Sequence, residues 1–178
     1  SSTEEPITNS KHIVVIDRKT LSILYEKTAN EKTPMASTTK IMTCILALEN
    51  SNLSKIITIS KNAASIHGSR LGLKENMQIS MQDLLYGLML RSGNDCAIAI
   101  AEEISGSVEN FANLMNKKAK ELELENTNFV TPHGLDDPRH YTTAYELALL
   151  TNYALKNETF RNIVSCKNYT FTFDGCSK

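Results

Sequence analysis

Tryptophan is absent from this chain, and aromatic residues as a whole make up only 6%. Stacking platforms for unpaired bases are correspondingly scarce. Charge of one sign is also lacking: 19 basic and 20 acidic side chains leave a net charge of −1. The basic residues are scattered, so no electrostatic footprint for a polyanion exists, and nucleic acid is excluded as a partner. No apolar run reaches the ~18 residues that a membrane-spanning helix needs. The opening Ser1-Ser2-Thr3-Glu4-Glu5-Pro6 has neither an initiator Met nor an apolar signal core; it reads as a mature or trimmed N-terminus. The cysteines Cys44, Cys96, Cys166 and Cys176 form no C-x-x-C pair, which argues against a zinc site; no metal and no other cofactor is expected. Cys44 and Cys96 fall in apolar helical stretches and read as small core residues. Cys166 and Cys176 flank one strand-like segment and are candidates to pair.

What is present is a hydrophobic fraction of 41% in 178 residues, enough for one domain with a real core. Residues 12–26 alternate around a polar turn at 17–20 and predict an antiparallel hairpin. Residues 37–49 predict a helix whose body, 41–48, is apolar nearly all round and therefore buried on all sides. A short strand is expected over 55–60 and strand-and-turn over 68–81. Ser80 and Asp83 resemble a capping box opening a helix to Leu90. Ser92-Gly93-Asn94 breaks that helix, and another runs over 95–104. Ser107 caps a further helix with Phe111, Leu114, Met115, Ala119 and Leu122 on one face. The Glu-Leu alternation at 121–125 reads as a solvated helix. A loop spans 129–141; Thr143 and Glu146 form a second capping box before a helix to Leu155, and a short helix covers 158–164. Residues 169–173 alternate as a strand with no partner after it, which reads as a chain cut before its sheet is complete.

Two motifs carry chemistry. Ser37-Thr38-Thr39-Lys40 places a hydroxyl and an amine three residues apart, on one helix face: a nucleophile with a base beside it. Ser92-Gly93-Asn94 offers another hydroxyl and a carboxamide on a tight turn between two apolar helices. Each has an ordinary alternative. A Ser-x-x-Lys arises by chance roughly once in a chain of this length, with Ser37 a mere N-cap and Lys40 a solvated first-turn residue. Asn94 alone can be a helix cap. Their co-occurrence favours a catalytic site.

Together the motifs resemble the S-x-x-K and S-x-N signatures of penicillin-binding serine enzymes. Three ordered segments, residues 34–43, 83–97 and 133–148, make the chain resemble the D-alanyl-D-alanine carboxypeptidases of the low-molecular-mass penicillin-binding proteins. The resemblance implies a mixed α/β (α+β) fold like that of β-lactamases and penicillin-binding proteins. An antiparallel sheet packs with helices beside a helical subdomain, and residues 1–178 form a single transpeptidase/carboxypeptidase-like domain. It implies removal of the terminal D-Ala from peptidoglycan stem peptides, outside the cytoplasmic membrane, and acylation by β-lactam antibiotics. By the same resemblance Ser37 is the acylated nucleophile, Lys40 its general base, Ser92 a proton shuttle to the leaving amine, and Asn94 a substrate-binding group. His133 and Gly134 fall in a loop near the site with no assigned chemistry. The main-chain N–H of Ser37 is expected as one oxyanion donor.

The third family motif, K-T-G, is missing: Lys19-Thr20, Lys27-Thr28 and Lys32-Thr33 are followed by Leu, Ala and Pro. The last strands of the sheet, with the cation that recognises the substrate carboxylate, are therefore expected to be absent from this chain. Low activity, self-association through an open sheet edge, and peripheral membrane association only through segments outside this chain follow. A class A-like β-lactamase is the nearest alternative, with Glu121-Leu122-Glu123 as a superficial match to its deacylating segment. A non-catalytic cell-wall-binding fragment is another. A His-acid triad from His133 and Asp136 lacks the G-x-S-x-G elbow, and lone loop histidines such as His133 and His140 give no metal site.

Overall fold

The computed structural model of the protein describes residues 34–135, 137–173 and 176–177; the hairpin expected over 12–26 lies outside the described residues. The first described element is α1, Pro34–Asn50. Proline suits a first helical position because its φ is preset and its missing N–H would have no partner there. The helix begins three residues earlier than the sequence suggested, so Ser37 stands within the first turn rather than capping it. The expectation of burial on all sides holds: residues 38–47 are all buried, polar members included.

After α1 come β1 (Ile56–Thr58), α2 (Lys61–Ala64), β2 (Gln78–Ser80), α3 (Met81–Leu90), α4 (Asn94–Ser105), α5 (Val108–Glu121), α6 (Ala144–Ala154), α7 (Glu158–Ser165), β3 (Thr172–Phe173) and β4 (Cys176–Ser177). α1 is the hub, packed against α3, α4, α5, α6 and α7. Its apolar side chains Ile41, Met42, Ile45 and Leu46 join Leu84, Leu85, Leu88, Phe111, Phe129 and Phe160 in one core. Each such side chain contributes about 1.5–3 kcal/mol on burial, so α1 is fixed by far more than its own propensity. β1 and β2 pair antiparallel with Ile57 opposite Ile79, both buried.

Serines and threonines start the helices as their sequence positions suggested. Ser80, Ser107 and Thr143 each accept from the main-chain N–H three residues on. The two capping boxes are only half formed, because the acidic partners turn to distant segments. Asp83 accepts from the Tyr169 hydroxyl and the Thr172 N–H. Glu146 accepts from the Asn126 N–H and the Thr127 hydroxyl. A buried carboxylate gains more from gathering such donors than from folding back on its own helix.

One element is new and three other expectations are corrected. α2, four residues under the Ser60 cap, is too short for periodicity to reveal. The Glu-Leu stretch is no helix beyond Glu121: Glu123 adopts a left-handed φ of 60° and Leu124 turns into the core. The terminal strand is confined to Thr172–Phe173, and it has a partner, pairing antiparallel with Cys176–Ser177. Cys166 is a free thiol whose Sγ lies 3.2 Å from the Asn168 carbonyl, so the candidate disulfide is not formed. Tyr169 anchors this end of the chain, stacking on Tyr86 with ring centroids 3.8 Å apart.

Candidate active site

α1 brings Lys40 to the break between α3 and α4. Lys40 is 6% exposed, and its Nζ donates to the Ser92 main-chain carbonyl at 3.0 Å. Two motifs 52 residues apart thereby meet, with Ser37 one turn before Lys40 on the same helix. The turn itself is strained. Ser92 has a left-handed φ of 52°, a conformation that costs a residue with a Cβ roughly 1–2 kcal/mol. Gly87 holds the turn together, its carbonyl accepting from both the Arg91 and the Gly93 N–H at 3.1 Å. A solvated Lys40 is ruled out by this burial, and strain of this kind collects where a side chain must be aimed.

Asn94 is the first residue of α4, whose N-cap is Gly93 with no side-chain cap bond. The alternative role of Asn94 as a cap is thereby corrected. Its side chain reaches elsewhere: Nδ2 donates to the His67 carbonyl at 3.0 Å. Its Oδ1 is buried without a hydrogen-bond partner among the described residues. An acceptor left so costs about 1–3 kcal/mol.

The loop at 131–140 clasps the start of α1 from the other side. Gly134 has a φ of 80°, and a Cβ there would fall 2.9 Å from both the Ala36 Cα and the Thr39 Oγ1. Only a glycine lets the loop backbone approach α1 so closely. Thr43 donates to the Pro132 carbonyl at 2.8 Å, and Thr39 Oγ1 lies 2.6 Å from His140 Nε2. His140 Nδ1 accepts from the Val130 N–H at 3.1 Å, so the ring proton sits on Nε2 and points at Thr39. Burial holds the His140 pKa below the usual imidazole value.

His133 is likewise buried, and its Nδ1 accepts from the Leu135 N–H at 3.1 Å. Burial, and then the positive charge of Lys40, His140 and His67, bring its pKa down to about 4. It is neutral near pH 7. An Nδ1 that accepts is unable to donate to an acid as a Ser-His-Asp triad requires, so the triad is set aside; Asp136 lies outside the described residues.

Sequence reasoning gave no role to Thr39, His67 or Asp95, and considered His140 only as a metal ligand. The signal for Thr39 was its place beside Lys40 in a helix with no solvent face. For Asp95 it was a charge opening an otherwise apolar helix. His67 enters through a main-chain carbonyl, which leaves no trace in the side-chain pattern. The arrangement of a buried amine, a strained serine turn and an unpartnered carboxamide oxygen suits acyl transfer to a hydroxyl on α1.

Comparison with known proteins bears on the same point. All of residues 1–178 match the family model described as D-alanyl-D-alanine carboxypeptidase. The chain is 42% identical over 162 residues to the D-alanyl-D-alanine carboxypeptidase DacF of Bacillus subtilis, covering 88% of this chain and 42% of that protein. Among solved structures it is similar to penicillin binding protein 6B of Escherichia coli, with 33% identity, a TM-score of 0.72, and 80% of this chain and 48% of that one covered. Penicillin binding protein 5 of Haemophilus influenzae gives 36% identity and a TM-score of 0.71 over 80% of this chain and 44% of that one. The chain thus spans less than half the length of each of these relatives.

Proposed function

From the fact that this chain belongs to the D-alanyl-D-alanine carboxypeptidase family, we propose that it contributes the nucleophile-bearing wall of a serine-type D-Ala-D-Ala carboxypeptidase. The observation that carries this is the bond from Lys40 Nζ to the Ser92 carbonyl at 3.0 Å, which joins the two catalytic motifs. The Ser37 hydroxyl attacks the carbonyl between the two terminal D-Ala residues of a peptidoglycan stem peptide. Lys40, as a neutral amine, takes the hydroxyl proton. The peptide C–N bond breaks; the departing D-Ala amine receives a proton through Ser92, and an ester remains on Ser37. Asn94 holds the substrate amide. Water then cleaves the ester and frees the shortened peptide. A β-lactam follows the same first step, its ring amide opening on Ser37.

The setting is extracytoplasmic, where peptidoglycan lies, and the cell wall and cell shape are what the activity serves. Neither nucleic acid nor a cofactor enters the scheme. The class A-like β-lactamase alternative gains no support, since Glu121, Glu123 and Glu125 are exposed while Lys40 and Asn94 are buried. The test is to incubate the full-length protein with a penicillin and map the adduct by peptide mass spectrometry. An adduct on Ser37, lost in Ser37→Ala, is expected; labelling of Ser92, or of the Ser37→Ala variant, overturns the assignment. Release of D-Ala from a diacyl-Lys-D-Ala-D-Ala peptide with slow penicillin turnover separates the carboxypeptidase from a β-lactamase.

A further inference from the structure

The end of α3 and the end of α7 leave a cleft of about 420 Å³ between them, bordered on its third side by the 167–171 segment. That volume suits a small molecule or the end of a peptide. The cleft takes no part in the chemistry above, yet its wall includes Arg91, the residue before Ser92. Its floor is apolar, with Val164 and Phe171 each 1% exposed. Arg91 and Lys167 stand exposed in its lining, and no Asp or Glu joins them there. A cleft lined by one sign of charge concentrates the opposite sign within it.

Arg91 is held in place without its charge being used. Its main-chain N–H donates to the Gly87 carbonyl at 3.1 Å, and its guanidinium carbon lies 5.6 Å from the centre of the Phe171 ring. Phe171 meets Tyr169 edge-on with centroids 4.9 Å apart, and Tyr169 stacks on Tyr86. A guanidinium resting on a ring face keeps its N–H donors at its edge, where a carboxylate can take two of them. Neither Arg91 nor Lys167 has an ion pair or a side-chain hydrogen bond among the described residues. The exposed Asn168 lies in the same lining. Cations, a carboxamide and an apolar floor together complement an acylated amino acid with a free carboxylate: charge meets charge, main-chain amide meets carboxamide, and side chain meets floor. A bare phosphate would use only the first of these. Charge over the whole chain is nearly balanced at −1, so the cleft suits one carboxylate and not a polyanion.

We propose that this cleft is a second binding site, for a carboxylate-bearing peptide, and that a stem peptide of peptidoglycan supplies it. A stem held there keeps the protein on its polymer, next to the turn that carries Ser92, while Ser37 works on another stem. That the peptide is a stem rests on the carboxypeptidase reading; the preference of the cleft for a peptide carboxylate does not.

The test is calorimetric titration of the full-length protein with L-Ala-γ-D-Glu-L-Lys, which carries free carboxylates and no D-Ala-D-Ala bond to cleave. It is run before and after acylation by benzylpenicillin, which fills the Ser37 site. Saturable binding to both forms is expected. Arg91→Gln and Lys167→Gln should each weaken it on the order of 10-fold, the scale of one charge-assisted bond. Arg91→Lys should fall between, keeping the charge and losing the fork. Both residues are exposed, and unchanged melting temperatures will show that the variants fold. The same tripeptide with its carboxylates amidated should bind at least about 10-fold more weakly than the parent peptide. The proposal is overturned if the full-length protein takes up no tripeptide, if both glutamine variants bind like the parent, if acylation abolishes binding, or if the amidated peptide binds equally well. Phosphatidylglycerol vesicles that capture the parent but not Arg91→Gln, with no tripeptide uptake, would assign the cleft to a lipid headgroup instead. A protein that resists acylation removes the carboxypeptidase reading, and the dependence on Arg91 and Lys167 still judges the cleft by itself.

Discussion

Lys40 and His133 are two bases in one buried neighbourhood, and they make different demands on pH and on chemistry. Lys40 has to shed its proton to serve as a base. An arginine keeps its proton under all ordinary conditions. Lys40→Arg is therefore expected to fold and yet lose at least about 10²-fold in acylation rate, the lower end of what a general base supplies. Stopped-flow acylation with a fluorescent penicillin measures it; a near-normal rate places the base elsewhere. His133 contributes to the pH dependence of stability. Its pKa drops from 6.5 in the unfolded chain to about 4 in the fold. Above pH 6.5 neither state is protonated and the group is without effect. As pH falls toward 4, the unfolded chain takes up a proton that the folded one refuses, so stability is lost across that window. The loss is on the order of 3 kcal/mol in all. His133→Gln should flatten the fall in melting temperature between pH 6.5 and 4; parallel curves would show that the ring titrates freely in the fold.

At the scale of elements, the site is a double clamp: the 131–140 loop and the turn between α3 and α4 hold the start of α1, and the 67–73 loop holds the start of α4. Gly134 is where the clamp is tightest. Gly134→Ala adds a left-handed alanine and a Cβ 2.9 Å from the α1 backbone, which is unable to yield as a flexible side chain would. The expected cost is roughly 2–4 kcal/mol, combining the backbone and overpacking terms, read from urea denaturation. A change below about 0.5 kcal/mol, the range of an inert surface substitution, would mean that loop and helix move apart freely. The helices themselves were legible in the sequence: apolar periodicity marks them, and Ser80, Ser107 and Thr143 mark where they begin. The clamp was not. Its bonds run from Thr39 to His140, from Thr43 to Pro132 and from Asp95 to Leu71, pairs that no local pattern connects. The destinations of Asp83 and Glu146 escaped for the same reason: a capping box is a local motif, and both carboxylates were claimed by distant donors.

For the molecule as a whole, Ser37, Lys40, Ser92 and Asn94 all stand on helices or on the turn between them. The family resemblance implies a strand wall as well, bearing a cation and a second oxyanion donor, and the K-T-G that would mark it does not occur in these 178 residues. Losing one oxyanion donor costs on the order of 10²–10³ in rate. The 178-residue chain is therefore expected to acylate at least that much more slowly than a form extended through K-T-G. Equal rates for the two forms in the same penicillin assay would show that the strand wall is dispensable. The motifs named the family and, through that resemblance, its mixed α/β fold. The fold had to supply the rest, above all that a helix with no exposed face delivers a lysine to a main-chain oxygen.

That oxygen has a practical consequence. Lys40 donates to the main-chain carbonyl of residue 92, an acceptor that every amino acid carries. In the proposed scheme two tasks converge on Ser92, tethering the base and relaying a proton, and mutation separates them. Ser92→Ala deletes the relay while leaving the tether in place, which makes this position a clean instrument for timing proton delivery independently of nucleophile activation.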